Sequence, residues 1–152
     1  MTNEIGDLGE AIFSVEISRD YTFRPRHLGE KWPSSDFYVE LIGPKEHFFF
    51  IVQVKATSRG CDRKGNLKVK ATSNKINELN AYYCPTYLAG VEVKSNSVYL
   101  MSVNRNRRKM VSNLPTRFLL DKENRTRLFN EVKSFWEKSD LKKYKKNFKH
   151  SI

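Results

Sequence analysis

The sequence predicts an α/β protein of the α+β type, in which helices flank a central mixed sheet of four to five strands. Short runs rich in Val, Ile, Phe and Tyr are separated by turns that contain Gly and Pro, which is typical of strands. Longer segments place apolar residues at helical spacing. The predicted order is helix, strand, strand, an optional short strand, helix, strand, strand and helix. This core forms one domain at residues 1–139, and a basic tail follows at residues 140–152.

The first helix is predicted at residues 3–18, with Thr2 as its N-cap. Gly6 and Gly9 each lower helix stability by about 1 kcal/mol, so they indicate close packing against another element or a ligand. Glu10 lies at the edge of the apolar arc, where it either leans into a partly buried site or remains a solvated carboxylate. The apolar residues expected to face the core are Ile5, Leu8, Ile12 and Val15.

A hairpin is predicted next, with strands at residues 36–42 and 47–56 and a Gly-Pro turn between them. Strand side chains alternate between faces. Phe48, Phe50, Val52 and Val54 therefore share one face, and the other face carries Phe49, Ile51, Gln53 and Lys55. Asp36 opens the neighbouring strand and can meet Gln53 and Lys55. Such a group can hold a divalent cation beside a phosphate; alternatively, Asp36 only caps a turn and Lys55 only reaches solvent.

The remaining elements follow from turn and cap signals. Residues 19–35 are predicted as a connector, and residues 67–71 as a short edge strand. A helix at about residues 74–83 is capped by Thr72 or Ser73 and ended by Pro85. Strands at residues 86–93 and 97–103 precede a final helix that Asp121 caps, which runs to about residue 139.

Charge is the most distinctive feature of the composition. Lys and Arg number 28 against 17 acidic residues, which gives a net charge of +11. This excess favours a polyanionic partner, either nucleic acid or an anionic surface. Candidate phosphate contacts are Lys70, Lys75 and a basic loop that contains Arg105, Arg107, Arg108 and Lys109.

Other functional classes receive no support from the sequence. No apolar run approaches the roughly 18 residues of a membrane span, and no signal peptide is visible. Cys61 and Cys84 lack zinc spacing, as do the three histidines, His27, His47 and His150. We therefore expect a cytoplasmic protein with free thiols and no membrane partner.

The order of these motifs resembles the PD-(D/E)XK nuclease superfamily. Gly9-Glu10 matches the helix glutamate of that superfamily, Asp36 matches its hairpin aspartate, and the segment Gln53-Val54-Lys55-Ala56-Thr57 matches its third motif. The QxK form is similar to that of Mrr-type restriction enzymes and to a bacterial domain family of uncharacterised function. The resemblance covers roughly residues 4–103 and implies a restriction-endonuclease-like core.

The resemblance also implies a function and its residues. It implies an endonuclease that hydrolyses phosphodiester bonds, with DNA favoured over RNA and a role in defence against foreign DNA. Asp36, Gln53, Glu10 and the carbonyl of Val54 are the expected ligands of Mg²⁺ or Mn²⁺. Lys55 positions or deprotonates the attacking water, or neutralises charge on the phosphate. Two active sites, as in a homodimer, are needed to cut both strands.

Two departures from the superfamily pattern keep other functions open. Gln53 stands where most members have an acid, and Ser34-Ser35 precedes Asp36 in place of the common Pro or Gly. One alternative is a catalytically inactive nucleic-acid-binding module on the same fold, and another is a basic subunit that guides a partner enzyme. Glu40 is a reserve metal ligand or an exposed strand acid.

Overall fold

The computed structural model describes residues 3–33, 35–103, 109–140, 145, 147 and 148. Within them the chain forms an α+β fold, with one five-stranded mixed sheet and three α-helices. A single 3₁₀ turn, Arg19–Tyr21, follows the first helix. The elements in chain order are α1 (Asn3–Ser18), β1 (Phe23–His27), β2 (Phe37–Leu41), β3 (Phe49–Thr57), α2 (Ser73–Asn80), β4 (Thr86–Glu92), β5 (Ser97–Ser102) and α3 (Lys122–Glu137).

The sheet has the spatial order β1-β2-β3-β4-β5. All neighbouring strands are antiparallel except β3 and β4, which are parallel and are joined by a crossover through α2. The ladder between β2 and β3 ends at the pair Phe37 and Val52, whereas β3 continues along β4 as far as Thr57. Residues 53–57 of β3 are therefore paired with a strand on one side only. We call the other side of this segment the open edge of β3.

Each face of the sheet supports its own apolar cluster. Phe50, Val52 and Val54 belong to the cluster beneath α1 and α3. Ile51 belongs to the second cluster, which α2 and the segments around Leu67 and Leu114 cover. The predicted alternation of side chains along β3 is therefore confirmed, since even-numbered and odd-numbered apolar residues pack on opposite faces.

The predicted core stripe of α1 is wrong at two positions. Leu8 is 47% exposed and Val15 is 57% exposed, whereas Phe13 and Ile17 are fully buried. The reason is a close approach of α1 to β3 at Gly9, where a Cβ atom would lie 2.4 Å from the Cβ of Ala56. This contact rotates the buried face of the helix away from Leu8 and Val15. The expected close packing holds for Gly9 but not for Gly6, which has open space around it.

Three further element predictions need correction. The predicted connector at residues 19–35 contains β1, an edge strand in which Pro25 is tolerated because only one side pairs. The predicted edge strand at residues 67–71 forms only isolated bridges, because Val69 donates its N–H to Leu67 in a tight local turn. Helix α2 ends at Asn80, three residues earlier than predicted.

Other local predictions are confirmed. Thr72 caps α2 by accepting a hydrogen bond from the N–H of Lys75, and Asp121 caps α3 by accepting one from Asn124. Cys61 and Cys84 are both free thiols. Thr2, the predicted cap of α1, lies outside the described residues.

The close approach at Gly9 can be tested with two matched substitutions. We expect Gly9→Ala to lower the free energy of unfolding, because overpacking typically costs about 1–3 kcal/mol and exceeds the gain in helix propensity. Gly6→Ala, on the same helix with nothing within 4 Å, should raise it by up to about 1 kcal/mol. Urea denaturation measures both.

Combining Gly9→Ala with Ala56→Gly removes the colliding Cβ and should restore part of the lost stability. A Gly9→Ala variant as stable as Gly6→Ala would contradict the proposed contact between α1 and β3.

Candidate active site

The carboxylate of Asp36 is held at the open edge of β3. Asp36 immediately precedes β2, and its Oδ2 accepts a hydrogen bond of 2.7 Å from the backbone N–H of Val54. The ladder with β2 has already ended at Val52, so the side chain of Asp36 takes the place of a strand partner. This hydrogen bond fixes the orientation of the carboxylate beside Val54 and Lys55.

Helix α1 brings a second carboxylate to the same place. Glu10 follows Gly9, whose contact with Ala56 places this turn of the helix over the end of β3. Burial raises the pKa of Glu10, and the nearby charge and hydrogen-bonding contact of Asp36 raise it further. His27 opposes this shift, since its Nε2 lies 3.0 Å from Oε2 of Glu10. Asp36 thus disfavours the charged form of Glu10, and a cation bound between the two carboxylates would favour it.

Gln53 adds an oxygen atom without a partner. Its side chain is only 6% exposed, and its Oε1 is buried with no hydrogen-bond partner within the described part of the chain. A buried acceptor that is left unsatisfied costs about 1–3 kcal/mol. A bound cation or water at this position would remove that cost. Gln53 directly precedes Val54, the residue that binds Asp36.

The side chain of Lys55 lines a positively charged groove. This groove has a volume of about 590 Å³ and lies along the end of β3, between Ile5 of α1 and residues 68–70. Its cationic lining residues are Lys55, Arg59, Lys68 and Lys70. Among the described residues, none of these four side chains forms a salt bridge within 4.0 Å, and no acidic side chain lines the groove. The groove can therefore bind an anion such as a phosphate.

The structure thus brings together most of the residues predicted for the site. Glu10 and Asp36 meet, the N–H of Val54 binds Asp36, and Lys55 lines the groove together with Lys70. The Oε1 of Gln53 forms no hydrogen bond to any described residue. In the described regions Lys55 does not form a salt bridge with Asp36.

Other candidates lie elsewhere or cannot be placed. Lys75 does not line the groove and lies 3.9 Å from Glu78 on α2. Glu40, the reserve ligand, instead accepts hydrogen bonds from Tyr38 and interacts with His47, whose hydrogen bond lowers the pKa of Glu40. Lys109 is exposed. Three residues of the predicted basic loop lie outside the described residues: Arg105, Arg107 and Arg108.

Three residues of this region were missed by sequence reasoning. His27 contacts Glu10 from the end of β1, and Arg59 and Lys68 complete the groove. Arg59 lies four residues after Lys55, and this proximity was the only feature of the local sequence that could have indicated its place in the groove. His27 and Lys68 are far from the motif in sequence, so only the packed fold shows their roles.

The residues predicted as metal ligands include few of the usual ligand types. No group of three or more His, Cys, Asp and Glu residues in the described part of the chain is arranged to hold an ion. Glu10 and Asp36 supply two carboxylates, and the other predicted ligands are neutral oxygens, the amide of Gln53 and the carbonyl of Val54. Mg²⁺ accepts such neutral oxygens and retains several waters.

Comparison with protein-family models, curated proteins and solved structures finds no match for this chain. No helix among the described residues has the length and apolar character needed to cross a bilayer. The fold class and the geometry around Asp36 are therefore the observations on which a function has to be based.

The raised pKa of Glu10 predicts how stability depends on pH. A carboxyl whose pKa is higher in the folded state loses stability as pH rises from its unfolded value, near 4.5, through the folded value. Glu10→Gln removes this titration. We therefore expect the Tm of Glu10→Gln, relative to wild type, to be higher at pH 7 than at pH 4.

Glu4→Gln, which removes an exposed carboxyl from the same helix, is the control. Thermal unfolding in metal-free buffer measures both variants. An equal Tm difference at the two pH values would show that the pKa of Glu10 is not raised in the folded protein.

Proposed function

We propose that this protein is a metal-dependent endonuclease with a restriction-endonuclease-like core of the PD-(D/E)XK type. One observation carries the proposal. Glu10 and Asp36, which are 26 positions apart in the sequence, converge at the open edge of β3, where Asp36 is bound by the N–H of Val54, the residue before Lys55. A carboxylate pair at a strand segment that also carries Lys55, a residue of the cationic groove, is suited to phosphodiester hydrolysis.

Mg²⁺ or Mn²⁺ is the cofactor that suits these residues. Asp36 and Glu10 would hold it, together with the orphaned Oε1 of Gln53 and the carbonyl of Val54. When bound, such an ion lowers the pKa of a water molecule and polarises a phosphate. The buried, unsatisfied oxygen of Gln53 supports this assignment, because it lies one residue from the backbone group that anchors Asp36.

The chain's own residues supply binding and orientation. Arg59, Lys68 and Lys70 hold the phosphates of the substrate in the groove. Lys55, which lines the groove and directly follows the residue that binds Asp36, positions the attacking water or neutralises the charge that develops on the phosphate. The N–H of Val54 keeps the carboxylate of Asp36 oriented throughout.

The superfamily resemblance also implies that the substrate is DNA and that the role of the protein is defence against foreign DNA. The favoured location is the cytoplasm. A homodimer would supply the two active sites needed to cut both strands. The net charge of +11 supports a polyanionic substrate.

A second candidate is an inactive nucleic-acid-binding module on the same fold. Two observations favour it: Oδ2 of Asp36 is already engaged by Val54, and Gln53 is neutral where a charged ligand is usual. This candidate retains the cationic groove, so it predicts binding that persists in EDTA, with no cleavage in Mg²⁺ or Mn²⁺.

Cleavage assays test the enzyme directly. Plasmid, linear and single-stranded DNA and RNA are incubated with Mg²⁺, Mn²⁺ or EDTA. We expect cleavage only with metal, and we expect Asp36→Asn and Lys55→Ala each to lower the rate by about 100-fold or more. Lys75→Ala is the matched control, because Lys75 does not line the groove.

Cleavage that survives unchanged in Asp36→Asn or Lys55→Ala would reject this active site. Binding without cleavage by the wild-type protein would instead establish the binding module. Loss of activity in Lys75→Ala comparable to that in Lys55→Ala would show that overall charge, and not the site, determines the rate.

A further inference from the structure

We infer that Trp32 is a stacking platform for an unpaired base of the nucleic acid strand that enters the site, so that the protein prefers substrates with single-stranded nucleotides. This inference rests on the proposed function and adds a substrate class to it. Trp32 precedes Asp36 by four residues and is 50% exposed.

The orientation of Trp32 is fixed by the hydroxyl group of Tyr82, which takes part in several hydrogen bonds. The indole N–H of Trp32 donates to the Tyr82 hydroxyl at 3.1 Å. The buried hydroxyl of Ser35 donates to the same oxygen at 2.9 Å, and that oxygen also contacts the carbonyl of Pro33 at 3.3 Å. The Tyr82 hydroxyl therefore links Trp32, Pro33 and Ser35 to the turn that follows α2.

This anchoring distinguishes Trp32 from an ordinary exposed aromatic side chain. Isolated exposed apolar residues are common on protein surfaces and need no function. The indole N–H of Trp32, the only polar group of its side chain, is held by the Tyr82 hydroxyl. The ring itself stacks on no other aromatic ring in the part of the chain that the structure describes. A ring held in place with an accessible surface loses little entropy when a base stacks on it.

The position of Trp32 is also compatible with a strand passing through the site. Four residues span at most about 14 Å, so the indole lies within a few nucleotides of a phosphate bound near Asp36. Tyr82 packs against the same apolar cluster as Ile51, the cluster on the face that Gln53 and Lys55 share. Pro85, three residues after Tyr82, accepts a hydrogen bond from the N–H of Ile51, whereas the groove begins at Lys55, so the Tyr82 anchor and the cations lie toward different ends of β3. A fixed aromatic ring and a row of cations form the combination that binds single strands.

Fluorescence and affinity measurements test this inference. Trp32 and Trp136 are the two tryptophans of the chain, so Trp136→Phe leaves Trp32 as the only indole probe. The probes are oligo(dT), oligo(U) and a DNA duplex of equal length, each titrated at one salt concentration and in EDTA. We expect both single strands to quench Trp32, and their relative affinity will show whether DNA or RNA is preferred.

In the wild-type background, Trp32→Ala should weaken binding of the preferred single strand by about tenfold and change duplex binding by less than about twofold. Trp32→Phe retains a ring and should recover most of the affinity. The matched control is Tyr21→Ala, because Tyr21 is also an exposed aromatic residue, with 86% exposure. Tyr21 precedes the first residue of β1, whereas His27, which contacts Glu10, is the last residue of that strand. A melting curve of each variant verifies folding.

The outcomes separate this inference from the proposed function. Unchanged single-strand affinity in Trp32→Ala, together with weakened binding in a Lys68→Ala, Lys70→Ala double variant, would overturn the platform and leave the nuclease proposal standing. Equal losses in Tyr21→Ala and Trp32→Ala would also overturn it. Failure of the wild-type protein to bind any of the three probes would overturn both.

Discussion

The contact between Gly9 and Ala56 is the constraint on which the site depends. It lets α1 approach the end of β3 at a distance that any side chain at position 9 would prevent. Glu10 is the next residue, so the same contact brings its carboxylate to Asp36. The early end of the β2 ladder supplies the other half of the arrangement, because it leaves the N–H of Val54 available to Asp36.

The site gathers groups that do not stabilise the fold. Asp36 disfavours the charged form of Glu10, and within the described residues the buried Oε1 of Gln53 has no hydrogen-bond partner and the groove cations form no salt bridge. Each of these features destabilises the ligand-free protein, and a bound cation or anion would remove part of that cost. A divalent cation would satisfy the oxygens, and a phosphate would satisfy the lysines and the arginine. Unfavourable groups of this kind concentrate at functional sites.

Much of the fold could be predicted because the signals are local. The alternation along β3, the caps at Thr72 and Asp121, and the two strands after α2 each depend on a few neighbouring residues. Strand β1 was missed because Pro25 and its charged neighbours conceal a strand that pairs on one side only. The core stripe of α1 was wrong because a single close contact, not the apolar pattern, decides which face is buried.

The acid pair, Gln53 and Lys55 could be proposed from motif order, but the groove could not. Arg59, Lys68 and Lys70 come together through a loop whose bridges connect residues far apart in the chain. His27 reaches Glu10 only because β1 pairs with β2 and ends beside α1. Such convergence is a property of tertiary packing and leaves no pattern in the local sequence.

A crystal soaked in Mn²⁺ tests the proposed metal site, because the anomalous signal of Mn²⁺ locates the ion independently of activity. We expect a peak bounded by the carboxylates of Glu10 and Asp36 and by the Oε1 of Gln53, and we expect this peak to disappear in Asp36→Asn. A well-diffracting crystal with no peak there, or with one only at other carboxylates, would contradict the proposed site.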